Sequence, residues 1–191
     1  LLEFDGVKLN PMLAESWEVT PEGVTFKLRT DVKFHGDWGK FSAVDIVRTY
    51  NEATVEGGKP AGTGILRTDY TSYEALDDQT VFMALASPTI RWDAEHRNWE
   101  NSTPIISNRV MEEKGQEWAN NNIIGTGPFK FERWITGEEW SVVRNDNCWL
   151  TEPLWEGGPS GPAALDRAVV KVVEEWGTRL AMFQAGDADT L

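Results

Sequence analysis

The sequence has little of what disulfide or metal chemistry requires. Cys148 is the only cysteine, so an intramolecular disulfide and a cysteine-based metal cluster are both excluded. The two histidines, His35 and His96, lie in different segments, and their spacing does not match a zinc site. We expect both histidines at the surface or at helix caps. The sequence therefore predicts no metal site and no cofactor.

Positive charge is also scarce. The 191 residues include 18 lysines and arginines against 31 aspartates and glutamates, for a net charge of −13. Nucleic-acid binding needs a basic surface, and an anionic membrane attracts basic segments, so this charge argues against both partners. We interpret the acidity as a solvated surface that keeps the protein soluble. No apolar run approaches the roughly 20 residues of a membrane-spanning helix.

Motifs for covalent catalysis are missing from the sequence. There is no Gly-x-Ser-x-Gly elbow, and Cys148 has no candidate base near it in sequence. Carboxylate pairs such as Glu138 and Glu139 could serve glycoside cleavage, but a chain this acidic always offers such pairs. An acidic hydrolase therefore stays open as an alternative function without a specific signal of its own.

The periodicity of apolar residues predicts an α+β chain. The chain begins inside a predicted strand, and further strands are predicted at 16–19, 24–28, 73–76, 80–85, 104–106, 130–135 and 140–144. The apolar run within 165–173 predicts one more strand, which we expect to be buried. Helices are predicted at 42–53, 107–120 and 176–185, and loops at 54–70 and 151–162.

Two local patterns predict more detail. Ser42 can cap the first helix, with Asp45 at the reciprocal capping position. The motif Gly125-Thr126-Gly127-Pro128-Phe129 leads into a strand, not a helix, so it is no phosphate loop. We interpret it as a turn where backbones approach closely and only glycine fits.

Six ordered segments resemble one known family. They are Pro11–Val19 with its Leu-Ala-Glu-Ser-Trp core, Phe26–His35, Phe41–Val47, Ile124–Phe131, Arg144-Asn145 with Trp149, and Arg179–Asp189 with its Ala-Gly-Asp-Ala-Asp ending. Their order and spacing resemble the large dipeptide, oligopeptide and nickel class of extracellular solute-binding proteins of ABC transporters, also called family 5. All six segments are expected to form the framework of the fold, and they do not identify the ligand.

The resemblance implies a fold and a function. The expected fold is one lobe of a type II periplasmic binding protein, a twisted mixed sheet with flanking helices, the second lobe being absent. Because family members are more than twice as long, we expect the chain to be a partial protein. The whole of 1–191 would be the first lobe with its appended subdomain. Residues from about 20 to 120 would contain most of the subdomain. Residues from about 121 to 191 would form a hairpin, a linker, a strand and a helix that lead toward the hinge.

The implied role is to capture a solute outside the cytoplasm, in the periplasm or beyond, by cleft closure and to deliver it to a membrane permease, without chemistry on the solute. The solute would be a peptide, an oligosaccharide or a nickel complex, and the full-length protein could carry a membrane anchor, as a lipoprotein does. The resemblance points to regions around Arg67, Trp99 and Asn101 as candidates to line the ligand. A non-catalytic interaction module, marked by an exposed apolar patch, stays open as a further alternative.

Overall fold

The strands form three antiparallel sheets. The structure, a computed structural model, describes residues 1–55, 64–93, 96 and 103–190. The strands are β1 (Leu2–Phe4), β2 (Leu9–Pro11), β3 (Ala14–Val19), β4 (Gly23–Leu28), β5 (Tyr70–Asp77), β6 (Thr80–Leu85), β7 (Phe129–Ile135), β8 (Glu139–Arg144) and β9 (Arg167–Lys171). The helices are α1 (Ala43–Thr54), α2 (Gly64–Asp69), α3 (Asn108–Ala119) and α4 (Trp176–Ala185). The predicted α+β class is confirmed, but the strands divide among sheets β1-β2, β3-β4-β6-β5 and β7-β8-β9, where one mixed sheet was expected.

Short connections explain the antiparallel pairing of β3 with β4 and of β5 with β6, because a tight turn can only return the chain antiparallel. The predicted hairpin at Thr20–Gly23 joins β3 to β4, and Asp78-Gln79 joins β5 to β6. At Gly23 a side chain would meet the Met83 carbonyl oxygen at 2.5 Å and the Phe82 ring at 2.6 Å. Close approach of the neighbouring strand, more than turn geometry, therefore requires glycine at this position.

Helix α1 covers the four-stranded sheet with the face that its sequence predicts. Ala43, Ile46 and Tyr50 are buried, and the core cluster joins them to the inward residues of β4 and β6. The predicted capping interaction of Asp45 with Ser42 is confirmed. The Asp45 carboxylate accepts hydrogen bonds from the Ser42 backbone N–H at 2.8 Å and from the Ser42 hydroxyl at 3.0 Å.

The Asp45 carboxylate also joins two helices. It accepts a hydrogen bond at 2.7 Å from the backbone N–H of Asn108, the first residue of α3. Burial raises the pKa of Asp45, and these hydrogen bonds to the charged form oppose that rise. The cap of α1 therefore also positions the start of α3.

Two predictions about secondary structure are wrong, and a third is right but incomplete. Residues 104–106 are not a strand, because the Ile106 N–H bonds the Thr49 side chain on α1 at 2.8 Å instead of a neighbouring strand. The predicted loop at 54–70 contains α2 and the first residue of β5, while residues 56–63 lie outside the described part of the chain. The predicted helix at 107–120 exists but is interrupted at Gly115, where φ is 76°.

The expected burial of the strand near 165–173 is also wrong. Strand β9 lies at the edge of its sheet, and Val170 and Val172 are 42% and 53% exposed. Helix α4 has no buried residue. An apolar run predicts that other residues cover the strand in the folded protein. The described residues do not form such a covering layer over β9. Among the described residues, no helix is both long and apolar enough to span a membrane.

Candidate functional site

Of the three ligand-lining candidates, only Arg67 lies in the described part of the chain. It stands in the last turn of α2, and its side chain is exposed. Its guanidinium Nη2 donates to the Ala53 carbonyl near the end of α1 at 3.4 Å. The corner between α1 and α2 thus holds Arg67 at the surface, and its role toward a ligand stays a prediction.

Trp99 and Asn101 lie outside the described residues, but the positions on either side of them are informative. His96 precedes this segment and Thr103 follows it, and both line one cavity. The predicted ligand-lining region is therefore bordered in sequence by two residues of the same cavity wall. We take this cavity as the candidate functional site.

The cavity has a volume of about 250 Å³ and a mostly apolar lining. We call it the apolar cavity. Its lining is Leu1–Glu3, Met12, Leu13, Tyr50, His96, Thr103–Ile105, Thr126–Pro128 and Cys148–Leu150. A volume just below the usual range for whole small-molecule sites suits one apolar group of a solute. Glu3 is the one carboxylate among these lining residues, whereas glycoside cleavage needs two.

Two tyrosines hold His96 at the floor of this site. The Tyr50 hydroxyl lies 2.9 Å from His96 Nδ1, and the Tyr70 hydroxyl lies 2.8 Å from Nε2. Tyr70 also donates to the Trp92 carbonyl at 2.6 Å, which uses its only proton. Tyr70 must therefore accept from Nε2–H, so Nδ1 accepts from Tyr50.

This network keeps His96 neutral. The residue is only 1% exposed, and burial lowers its pKa to about 3. The expectation of a surface or capping histidine is wrong here, because the sequence does not show that Tyr50 and Tyr70 lie on either side of the ring. A histidine with both nitrogens occupied and so low a pKa is a structural anchor and no general base near neutral pH.

His96 also fixes the first strand. Its backbone carbonyl accepts a hydrogen bond from Leu2 N–H at 2.7 Å, and its ring meets Phe26 edge-to-face with centroids 5.1 Å apart. One buried residue thus joins β1, α1 and the start of β5 behind the apolar cavity.

The other histidine holds a second wall. His35 Nε2 donates to the Gly127 carbonyl at 2.9 Å, and its Nδ1 accepts from Gly125 N–H at 3.3 Å. The Gly125 carbonyl in turn accepts from His35 N–H at 2.8 Å. Burial lowers the pKa of His35, against the opposing effect of the Gly127 bond. His35 is buried as well, so its expected surface position is also wrong.

The glycine turn differs from its interpretation. A side chain at Gly127 would meet nothing within 4 Å, and one at Gly125 would only touch the His35 ring at an ordinary 3.5 Å. Neither glycine has positive φ. This wall of the apolar cavity is shaped by hydrogen bonds, including those from Asn145 to the Gly127 carbonyl and from the Trp149 indole to the Thr126 carbonyl. A lack of space for side chains does not explain the two glycines.

Catalytic and metal chemistry find no support in the described residues. They contain no group of three or more histidine, cysteine or acidic side chains that could hold a metal. Glu139 of the predicted carboxylate pair is bound to Arg133 on an exposed hairpin. Cys148 is buried in the wall of the apolar cavity. The described lining of the apolar cavity can therefore bind a group, with Glu3 as its one carboxylate.

A separate apolar surface lies on the three-stranded sheet. Trp134 and Trp140 are cross-strand partners, 59% and 41% exposed, and Trp176 and Phe183 on α4 are exposed as well. Exposed aromatic groups of this kind mark a surface that another chain segment or partner covers. Such a surface is expected of an interaction module, and it is equally expected of a partial protein whose covering segments are not in this chain.

Comparison with known proteins places these features in a family. The sequence pattern described as bacterial extracellular solute-binding proteins, family 5 Middle, matches residues 8–191. The chain is 28% identical, over 96% of its length, to the probable ABC transporter periplasmic-binding protein SapA of Escherichia coli K12.

Solved structures share the fold. The chain superposes with a TM-score of 0.83 and 25% identity, over 99% of its length, on the binding protein MoaA from A. tumefaciens R10 in complex with mannopinic acid. It superposes with a TM-score of 0.75 and 27% identity, over 98% of its length, on the periplasmic binding protein DppA from Helicobacter pylori in complex with the peptide STSA. The chain covers 35% of SapA, 37% of MoaA and 39% of DppA, about a third or slightly more of each.

Proposed function

Because the chain belongs to the bacterial extracellular solute-binding proteins of family 5, we propose that it forms part of the solute-capturing component of an ABC importer. The match over residues 8–191 carries this proposal. The protein works outside the cytoplasm and passes its solute to a membrane permease. Periplasmic relatives support that location, and the acidic charge suits a soluble carrier.

The solute is peptide-like in this proposal. Relatives of the chain have been solved with a peptide and with mannopinic acid, so the fold accepts more than one class of small polar solute. The apolar cavity takes one apolar group of the solute, and Arg67, Trp99 and Asn101 line the polar part. Capture proceeds by closure of two lobes, with ligand contacts stabilising the closed state.

No chemistry on the solute accompanies capture. The family is described as solute-binding proteins, and the described lining of the apolar cavity contains a single carboxylate, that of Glu3. The exposed sheet face with Trp134 and Trp140 fits docking onto another part of the transport system as a second function, and it fits equally well packing against the rest of a protein of which this chain is about a third. The two functions are compatible, since a binding protein must also dock.

We propose that this chain is part of a longer protein of family length, and a binding assay on that longer protein tests the proposed function. We expect trialanine to change the tryptophan fluorescence saturably at micromolar concentration, and the 191-residue chain to respond at least about 100-fold more weakly, because one wall forfeits most contacts. Trialanine, maltotriose and a nickel–histidine complex form the probe set. If none of the three binds, solute capture of these classes is refuted.

A matched pair of arginine variants tests the proposed lining. Arg67→Ala should weaken binding of the solute by about tenfold, as expected for loss of one charge-assisted hydrogen bond. Arg91→Ala removes the same charge from another exposed position and should leave binding unchanged. Equal affinities of the two variants would remove Arg67 from the site.

A further inference from the structure

A second cavity gathers positive charge in this acidic chain. It has a volume of about 580 Å³ and lies between the hairpin 32–41, strand β7 and the loop after β8. We call it the lysine cavity. Its lining is Lys33–Asp37, Gly39, Lys40, Lys130, Asn145 and Asn147. Three lysines face one aspartate in this lining, against a chain-wide charge of −13.

The hairpin brings two of these lysines unusually close. Lys33 and Lys40 are partners in an isolated antiparallel bridge. The flanking bonds run from Phe34 N–H to Gly39 at 3.0 Å and from Phe41 N–H to Val32 at 3.2 Å. The lysines therefore form the non-hydrogen-bonded kind of pair, in which Cα atoms are about 4.5 Å apart and side chains leave on the same face. Like charges at such a position repel and destabilise the hairpin.

No carboxylate in the described part of the chain forms an ion pair with these lysines. Lys33, Lys40 and Lys130 each lie beyond 4.0 Å of every described carboxylate oxygen, whereas arginines elsewhere are commonly paired with a carboxylate. Asp146 is the acidic residue nearest in sequence to Asn145 and Asn147, and Arg144 binds it at 2.8 Å. The positive charge of the cavity is therefore left for a ligand.

His35 does not add to that charge. Its two ring nitrogens are used by Gly125 and Gly127, as described above, and the Lys130 charge adds to burial in lowering its pKa. The ring thus forms a neutral wall, and the lysine ammonium groups are the anion-binding elements. The side chain of Asn147 is exposed at the rim and adds a neutral hydrogen-bond donor.

We propose that the lysine cavity binds a phosphoryl group, as free phosphate or as the phosphomonoester of a small molecule. A phosphomonoester carries about −1.5 to −2 charges at neutral pH, which matches three lysines opposed by one aspartate. A single carboxylate would neutralise only half of that excess. The volume exceeds that of phosphate alone and leaves room for an organic substituent. This site is distinct from the apolar cavity and does not depend on the proposed solute.

Thermal unfolding of the chain with added anions tests this site. At low ionic strength, inorganic phosphate and glycerol 3-phosphate should each raise Tm saturably, by about 3 °C at ten times Kd. Acetate at equal ionic strength should have no such effect. A saturable rise with glycerol 3-phosphate but not with phosphate would assign the organic source, and the reverse would assign the free ion. No saturable rise with either anion would overturn the proposal.

Charge-removing variants separate the site from general attraction. Lys33→Gln with Lys40→Gln should raise Tm without phosphate, because the repulsion between the lysines is removed, and should weaken phosphate binding about tenfold. Lys8→Gln with Lys171→Gln removes the same charge from exposed positions outside the cavity. Equal weakening by both double variants would overturn the proposal, and so would a cavity variant that is not stabilised in phosphate-free buffer.

Discussion

Mild acid is expected to destabilise this protein through His96. The imidazole is buried between Tyr50 and Tyr70, and burial lowers its pKa to about 3. In the unfolded chain the same group returns to a pKa near 6.5. Between these two pH values the imidazole is protonated in the unfolded state and unprotonated in the folded state. The free energy of unfolding therefore falls as pH drops below about 6.5, and the loss stops only near the folded pKa.

The size of the effect follows from the two pKa values. Each pH unit within this window costs about 1.4 kcal/mol, and the unfolded histidine is already partly protonated at pH 6.5. Lowering the pH from 7 to 5 should therefore remove about 2 kcal/mol of stability. Since pH 5 lies well above the folded pKa, the folded state stays unprotonated throughout, and the full linkage term applies.

Urea unfolding at both pH values, compared between the parent chain and His96→Gln, measures this contribution. Glutamine does not titrate but can still accept from one tyrosine and donate to the other, so the variant should fold and lose about 2 kcal/mol less on acidification. Both 191-residue chains are acetylated at Leu1 for this assay, because a free amine at that position has a pKa lowered by burial to about 5 and would titrate in the same range. An equal loss in both proteins would refute the assignment of His96 as the buried, proton-free anchor.

Further substitutions test the framework around the apolar cavity. Asp45→Ala should lower the free energy of unfolding by about 3 kcal/mol in urea titrations, because three donors lose their acceptor. Gly23→Ala should cost about 2 kcal/mol or more in the same assay, whereas Gly127→Ala should stay within about 0.5 kcal/mol of the parent. His35→Ala should speed hydrogen exchange of the Gly125 amide about tenfold, while amides inside the four-stranded sheet keep their protection.

Local chemistry made part of the fold predictable. The β3–β4 and β5–β6 hairpins, the cap at Ser42 and the inward face of α1 all depend on residues within a few positions of each other. Turn residues, caps and 3.6-residue periodicity are read directly from such neighbours. These elements accordingly appear where the sequence predicts them.

Contacts between distant segments were not predictable in this way. His96 and Tyr50 are 46 positions apart, and His35 and Gly127 are 92 positions apart. Nothing in the sequence around either histidine shows that its ring nitrogens are occupied, so an exposed position was the simpler expectation. The prediction that β9 is buried was wrong for a related reason. The periodicity of Val169 and Val170 does not show which segment covers them.

The candidate site shows the same division between local and distant information. The segments that resemble family 5 were all expected to be framework, yet Met12, Thr126 and Trp149 within them line the apolar cavity. Framework and cavity wall are therefore the same residues over part of this surface. A cavity formed by seven separate parts of the chain has no single sequence signature, which is why it could not be proposed from motifs.

The wall at Thr103–Ile105 lies outside the matching segments and directly follows the region of Trp99 and Asn101. If the six segments that resemble family 5 build the scaffold of the cavity, residues of this wall can change the solute preference without loss of the fold. We call those six segments the shared segments. Ile105→Ala should therefore alter the relative affinities of solutes with small and large apolar groups. Met12→Ala, inside a shared segment, should instead weaken all of them together. Calorimetry with trialanine and triphenylalanine on the longer protein distinguishes the two results, and the same change of preference from both variants would contradict this division of roles.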